Sequence, residues 1–562
     1  MSLFKKKDPF GGGSASKKPK SRPRVILTGL LVTLLVGLVY FYFALPAINL
    51  HDPAFYFFVG LLCVVFCLCS IVTSGTGSGT PHEYFSFLKK QCKIPFILVL
   101  VLVGVFAVGS IISMPILRAS SYRDLLTVQE GDFATDIAEI SFDEIPMLDE
   151  DSAERLGDRK LGELADMVSQ FEVSDNYTQI NWQGRPVRVA PLLYGDIFKW
   201  FNNRSDGLPA YIRVDMVTQQ AEVVRLSSLG LGGMRYSPAD LFGRKLERHL
   251  RFLYPTFMFS ESTFEIDDSG HPYWVCPKLE KTIGLFGGTD INGAVLVDAI
   301  TGESQYYSRD EIPSWIDRVY LASLIIEQYD YHGVYVNGFF NSLFGQKDVT
   351  VTTSGYNYIA LNDDVYMYTG ITSVGGDQSN VGFLLSNQRT KETTYYSAPG
   401  AIEESARASA QGVVQDLRYT TTFPLLLNVA GEPTYFMSLK DASELVKMYA
   451  MVNVQQYQLV ATGTTVSECE SNYIRLLTER GIAAPEALPQ TDDSGAVAEI
   501  RAAVIDGNTY YYIRLLGNDF FYSISAQSCP EAVILNEGDR VDIQADASAQ
   551  GDIRPALSLT RR

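Results

Sequence analysis

Three stretches without a single charged residue, 25–44, 55–73 and 94–117, constrain this chain more than anything else in it. About 20 predominantly apolar residues cross ~30 Å of hydrocarbon as a helix, so each stretch is long enough to span a bilayer. A cleaved leader does not fit the first one, which is too long for an apolar leader core and has no small-x-small cleavage site close behind it. Core helices of a soluble domain rarely lack charge over such lengths. The expectation is three retained membrane helices.

Their orientation follows from the positive charges. Lys5, Lys6, Lys7, Lys17, Lys18, Lys20, Arg22 and Arg24 precede the first stretch, the loop 45–54 has no Lys or Arg, and Lys89, Lys90 and Lys93 lie between the second and third. Cytoplasmic loops carry the Lys/Arg excess, which puts the N-terminus inside and everything after residue 117 outside, in a multi-pass cell-membrane protein. Of the total charge of −18, residues 1–117 contribute +8 and the remaining 445 contribute −26. So acidic a body disfavours nucleic acid and adhesion to anionic lipid, and attracts cations or basic partners only weakly.

The tail 1–24 is Gly/Ser-rich and basic, hence disordered, and its charges serve topology. The segment 118–165 reads as an acidic approach to the folded part, with Asp149, Glu150 and Asp151 as a solvated run that lacks calcium-loop spacing. Beyond it a pattern recurs. "VLVDAITGE" (295–303) reads as a strand closed by a turn, "SQYY" as the returning strand, and Ser308 with Glu311 as a capping box for a helix carrying Ile312, Trp315, Ile316, Val319 and Ile326 on one side. "YIRVDMVTQQAEVV" (211–224) has the same order and is followed by a helix start at "SPAD" (237–240). "GFLLSNQRTKETTYY" (382–396) matches with Asn387 and Thr390 in the Asp and Thr positions, and the three anchors lie 83 and 89 residues apart. Such spacing points to internal duplication, with a degenerate fourth unit expected from Pro433.

The fold class is therefore α+β, with three transmembrane helices followed by repeated small sheet-plus-helix units and a small C-terminal β-domain, either open sheet or barrel. The boundaries read as 166–260, 261–345 and 346–480 for the three units (the last including the degenerate fourth), 481–497 for a Pro- and Asp-containing linker, and 498–562 for the β-domain.

Strand, Asp-x-x-Thr-Gly, strand and helix in that order resembles the PepSY domain. The resemblance assigns a turn-shaping role to Asp298, Thr301 and Gly302, and to Asp215 and Thr218, where Gln219 replaces the glycine. It extends less well to Asn387 and Thr390, where Lys391 does so. Asp can bond turn amides and Gly tolerates positive φ. The layout, with "GYNYIALNDDVYMYTG" and "QRTKE", also resembles uncharacterised membrane proteins of Clostridia-type Gram-positive bacteria. What the resemblance implies is an extracytoplasmic role in binding or restraining peptidases or other envelope proteins, without catalysis.

The residue inventory points the same way. His249, His271 and His332 are far apart, and the outer region has no His-x-x-x-His pair, Gly-x-Ser-x-Gly elbow, Walker loop or Cys-x-x-Cys. "SFLK" (86–89) is read as chance. "FGGTD" (286–290) and "GGDQSN" (375–380) can hold an ion with backbone amides, but as loops before repeat hairpins they read as structural. Neither a cofactor nor a metal is expected. Cys276, Cys469 and Cys529 lie outside; a Cys469–Cys529 disulfide and buried free thiols both fit.

The candidate recognition surface is the aromatic and acidic run containing Tyr356, Tyr358, Asp363, Asp364, Tyr366 and Tyr368, although strand alternation would bury much of it. The first expectation is thus a non-catalytic, membrane-anchored protein that binds, scaffolds or restrains an envelope or membrane partner. The three spans also offer a membrane interface for partner helices, where the small residues Gly104, Ala107 and Gly109 would allow close packing. The rival expectations are a small-molecule or envelope sensor and a hydrolase that pairs Asp290 with Asp363 or Asp364.

Overall fold

The computed structural model describes residues 22–74, 86, 89–137, 145–361, 363–375, 379–483, 490–505, 508–526, 529–546 and 552–562. Of the basic tail 1–24, residues 1–21 lie outside them. The chain divides into two compact units. One comprises Met1–Leu125, Met234–Ser262 and Cys276–Glu311, the other Leu126–Gly233, Thr263–Val275 and Ile312–Arg562.

In the first unit, helices Arg22–Ala44, Pro53–Ser74 and Lys93–Ile112 are long and apolar enough to cross a membrane. The third stops five residues earlier than the uncharged run suggested. Met114 is extended (φ −69°, ψ 140°) and Pro115 opens a separate short helix, Pro115–Arg123, because proline lacks the N–H that continuation needs. Within the chain, the tight glycine contacts between spans lie on the first helix. A Cβ on Gly29 or Gly37 would meet Phe66 or Leu62 of the second helix at 3.0 and 2.9 Å, whereas one on Gly104 would meet nothing within 4 Å.

Beyond these helices the chain forms small antiparallel sheets that share one strand order. The first has strands Phe171–Val173, Thr178–Trp182, Arg185–Tyr194, Ala210–Asp215 and Ala221–Arg225. The first two lie end to end along one edge of the third, and the fourth and fifth follow on its other side. The third sheet (Thr350–Ala401) and the fourth (Thr420–Gly463) repeat this arrangement. The second does so too: strand Pro272–Ile283 begins in the second unit, paired with Thr263–Ile266, and continues into the first, where it pairs with Met258–Phe259. Each set of strands is preceded in the chain by a helix: Glu150–Gly162, Leu246–Leu253, Ala322–Val334 and Glu403–Val413. The third and fourth sheets share a core around Tyr368, Phe383, Tyr435, Phe436 and Met451, closed by helices Glu403–Val413 and Val466–Glu479.

The C-terminal strands close into a barrel ordered Gln490–Ile505, Asn508–Leu515, Phe521–Ser525, Ile553–Arg561, Arg540–Asp546 and back to the first. The third and last in sequence run parallel, the strand order of an OB-type Greek-key barrel. It has its own core, including Val497, Ile513, Tyr522, Ile524, Val541, Ile543 and Leu559.

Several expectations are corrected. No helix follows Ser308 directly; Arg309–Glu311 is a single 3-10 turn and the helix begins at Ala322. Ser308 does bond Glu311, at 2.7 Å, but Pro313 cannot supply the next helical N–H. After Ser237 the chain makes a turn, and the Leu246 N–H donates to the Ser237 carbonyl. The segment 118–165 is not merely an acidic approach. Val128–Gly131 adds a parallel strand to the third sheet, and Asp149 caps helix Glu150–Gly162 and pairs with Lys440, itself only 5% exposed. The fourth unit is a complete sheet with its helix starting at Glu403, and the barrel begins at Gln490, inside the expected linker. Cys469 and Cys529 are buried free thiols.

Candidate functional site

The recognition candidate is a hairpin, Asn357–Leu361 with Asp364–Ser373, in register Asn357↔Tyr368 and Tyr358↔Met367. Side chains alternate between faces of a strand, so this register sends Tyr358 to one face and Tyr366 and Tyr368 to the other. The six residues therefore do not form one surface. Tyr356 and Asp363 are exposed, Tyr366 is half-buried, and Tyr358, Asp364 and Tyr368 are buried. Tyr368 donates to the buried Glu403 at 2.9 Å, within the core shared with the fourth sheet. Asp364 accepts two bonds from Arg389 (2.8 and 2.7 Å) and one from Asn387. Asp290, the other carboxylate considered for hydrolysis, is 7% exposed and bound by Arg309 at 3.2 Å.

The turn residues do what their chemistry requires, and one thing more. Oδ1 of Asp215 accepts the N–H of Val217 and Thr218, that of Asp298 the N–H of Ile300 and Thr301, and that of Asn387 the N–H of Arg389 and Thr390, all at 2.8–3.0 Å. Asn453 does the same for Gln455 and Gln456. The following position is left-handed in three of the turns: Gln219 (φ 59°), Gly302 (79°) and Lys391 (68°). In every turn the carbonyl just after the Asp or Asn accepts an N–H from the chain leading into that set's own helix. Met147 donates to Met216, Arg235 and Tyr236 to Ala299, Val319 and Tyr320 to Gln388, and Ala401 to Val454. The turn thus fixes where the helix docks, a long-range function that a local motif does not reveal.

The face of the hairpin that carries Tyr358 meets a buried polar cluster that sequence reasoning missed. Arg318 donates to the Tyr358 hydroxyl at 2.6 Å and lies 4.0 Å above its ring. Arg188 donates to the Tyr177 carbonyl, and Gln179 to the Tyr358 carbonyl. Glu265, fully buried, accepts the N–H groups of Asp317 and Arg318 at 2.9 and 3.0 Å, and Asp317 accepts that of Asn181 at 2.6 Å. Burial pushes the Glu265 carboxyl up to about 7, against the pull of these donors. It also raises Asp317, with the Glu265 charge adding to the effect. Glu265 thus titrates inside the core near neutral pH. Gln179, Arg188, Glu265, Asp317, Arg318 and Tyr358 are all at or below 8% exposure, so their side chains are closed off from a substrate.

Elsewhere, one cavity of about 80 Å³ lies between helix Val466–Glu479 and the barrel, lined by Arg475, Glu479, Tyr510 and Ser523 among others, room for a few waters only. Among the described residues no group of three His, Cys, Asp or Glu is placed to hold a metal ion.

No family model matches the chain, and no curated protein does. Among solved structures, a point mutant of B. megaterium levansucrase aligns with 77% of this chain and 97% of its own at 9% identity and a TM-score of 0.15, a likeness too slight to carry a fold or an activity.

Proposed function

We propose that this is a non-catalytic, membrane-anchored cell-envelope protein whose sheet-plus-helix sets, resembling PepSY modules and derived from one duplicated unit, bind or restrain another envelope protein. The positive-inside charge pattern supports a cytoplasmic N-terminus and an extracytoplasmic body. The shared strand order and the recurring Asp/Asn turn support the duplication. Asp290 and Asp364 are each held by an arginine, which favours a structural use of the carboxylates over a hydrolytic one.

The observation that carries the reading is an aromatic loop in the first sheet. The short helix Ile197–Asn203 buries Trp200 but leaves Phe198 77% and Phe201 59% exposed. Two neighbouring exposed phenylalanines on one short helix are characteristic of a contact surface.

The test is cross-linking of the full-length protein in native membranes, followed by mass spectrometry, for the parent chain and for Phe198→Ser with Phe201→Ser. A specific envelope protein recovered with the parent and reduced roughly tenfold in the variant, a loss of about 1.4 kcal/mol, at unchanged Tm supports the proposal. An identical set of captured proteins overturns it and favours the sensor reading.

A further inference from the structure

Helix Leu246–Leu253 belongs in sequence to the second sheet-plus-helix set, yet it is docked on the end of the first membrane helix. Arg248 donates from Nε to the Tyr42 carbonyl at 3.0 Å, and its guanidinium lies 4.1 Å above the Tyr42 ring. Arg251 donates from Nε to the Leu45 carbonyl at 2.9 Å and from Nη1 to that of Phe257 at 2.6 Å. The terminal carbonyls of a helix have no partners within it and carry its negative dipole end, so two buried arginines are well placed there. The next loops pair too: the Ile48 N–H donates to the Pro255 carbonyl, and the Asn49 amide to that of Thr256.

These contacts set a depth. The Phe252 ring packs edge-on against Phe41 with centroids 5.6 Å apart. Phe41 lies three residues inside the end of the span at Ala44, which at 1.5 Å per residue is roughly 4.5 Å toward the membrane centre. Phe252 therefore reaches the level of membrane-spanning residues, while remaining 57% exposed; Leu253 beside it is 53% exposed and Phe242, whose carbonyl Arg248 also holds, 62%. On the span itself Phe43 is exposed at the same level.

We infer that the segment from Phe242 to Leu253 is an interfacial membrane element, with Phe242, Phe252 and Leu253 seated in the boundary between headgroups and acyl chains of the leaflet at the C-terminal end of the first span. The occupant of this apolar face is lipid, because the face is continuous with the lipid-facing surface of the span to which it is bonded. Apolar burial favours such seating in neutral lipid, and attraction to anionic lipid adds to it; the segment carries Arg244, Lys245, Arg248 and Arg251 against Glu247. The consequence is that the second sheet-plus-helix set is held at the membrane surface and does not hang from a linker.

The full-length protein, purified and reconstituted in phosphatidylcholine vesicles, tests this with Phe252→Trp and, as a second reporter, Phe242→Trp. The emission added over the parent chain, whose four tryptophans give the background, is compared in vesicles of plain and acyl-brominated phosphatidylcholine, with iodide on both sides as the aqueous quencher. The expected result is that brominated lipid removes roughly half of the added emission, since the reporter sits at the acyl boundary, and that iodide has little effect. Quenching by iodide without quenching by brominated lipid would put the face in water and overturn the inference. Protection from both quenchers would put protein on this face, a second copy in these purified vesicles, and would overturn it equally.

Discussion

Gly302 sits at φ 79°, and a Cβ there would come within 2.4 Å of the Tyr236 ring. Two costs coincide, so Gly302→Ala is expected to destabilise the first unit by about 1–3 kcal/mol, read as a lower Tm. Asp298 is a separate case. Its Oδ1 does the work that the Asn387 and Asn453 amide oxygens do in equivalent turns, so Asp298→Asn should be nearly neutral, whereas Asp298→Ala should cost roughly 1–2 kcal/mol. Equal melting temperatures for the two would show that the side-chain bonds contribute nothing. The motif was legible because turn chemistry is local; the Ala299 carbonyl that receives Arg235 and Tyr236 was not, because its partners lie more than sixty residues upstream.

Glu265 gives a pH dependence of definite sign. Its folded-state carboxyl titrates near 7 against about 4.3 for a free glutamate. Between these values the unfolded chain has released a proton that the folded one keeps, so stability falls as pH rises from about 4 to 7 and levels off above, by on the order of a few kcal/mol. Asp317 adds to this slope in the same direction. Denaturant melts across this range should lose much of the slope in Glu265→Gln. That variant would also be less stable at pH 5, because one of the two N–H groups now held by separate carboxylate oxygens would face an NH2. A slope unchanged in the variant would assign the titration elsewhere.

At the scale of elements, strands and membrane helices were legible and helix starts were not. The Ser308–Glu311 pair satisfies a capping pattern, yet Pro313 halts the helix after one turn, and only the spacing of that proline from the cap distinguishes the outcomes. The acidic run at Asp149 was misread for a different reason: its partner Lys440 lies 291 residues away. That pair fastens helix Glu150–Gly162 to the fourth sheet, where Glu444 also reaches Lys440 at 2.7 Å. Lys440→Met should therefore leave three carboxylates, Asp149, Asp151 and Glu444, without their shared cation. The expected cost is about 1–3 kcal/mol, at the low end because Asp149 is partly exposed to solvent. Hydrogen exchange should quicken first in Glu150–Gly162. Uniform quickening across the second unit would mean that the pair supports the whole fold and not this one docking.

For the molecule as a whole, the two kinds of β-structure differ in how far they depend on their surroundings. The barrel from Gln490 to Arg561 is closed, so it presents no unpaired edge, and Val497, Ile513, Tyr522 and Leu559 fill it from its own strands. A sheet-plus-helix set is not closed in this sense. The third has Tyr368 hydrogen-bonded to Glu403 and Tyr358 held by Arg318, both partners lying outside residues 322–401. Excision would expose its apolar face and leave the two tyrosine hydroxyls without these partners. The polar cluster that unites Gln179, Arg188, Glu265, Arg318 and Tyr358 could not be read from the sequence for the same reason: its members are scattered along the chain in unremarkable local contexts. Residues 490–562 expressed alone are therefore expected to give a soluble monomer with dispersed amide resonances and a cooperative melt, while residues 322–401 alone should give neither. A folded 322–401 fragment would mean that the buried cluster is an accessory to a self-sufficient module, and the sheets would then have to be regarded as independent domains on a string. An unfolded barrel fragment would instead move the cavity lined by Arg475, Glu479 and Tyr510 from an incidental gap to part of an obligatory interface between helix Val466–Glu479 and the barrel.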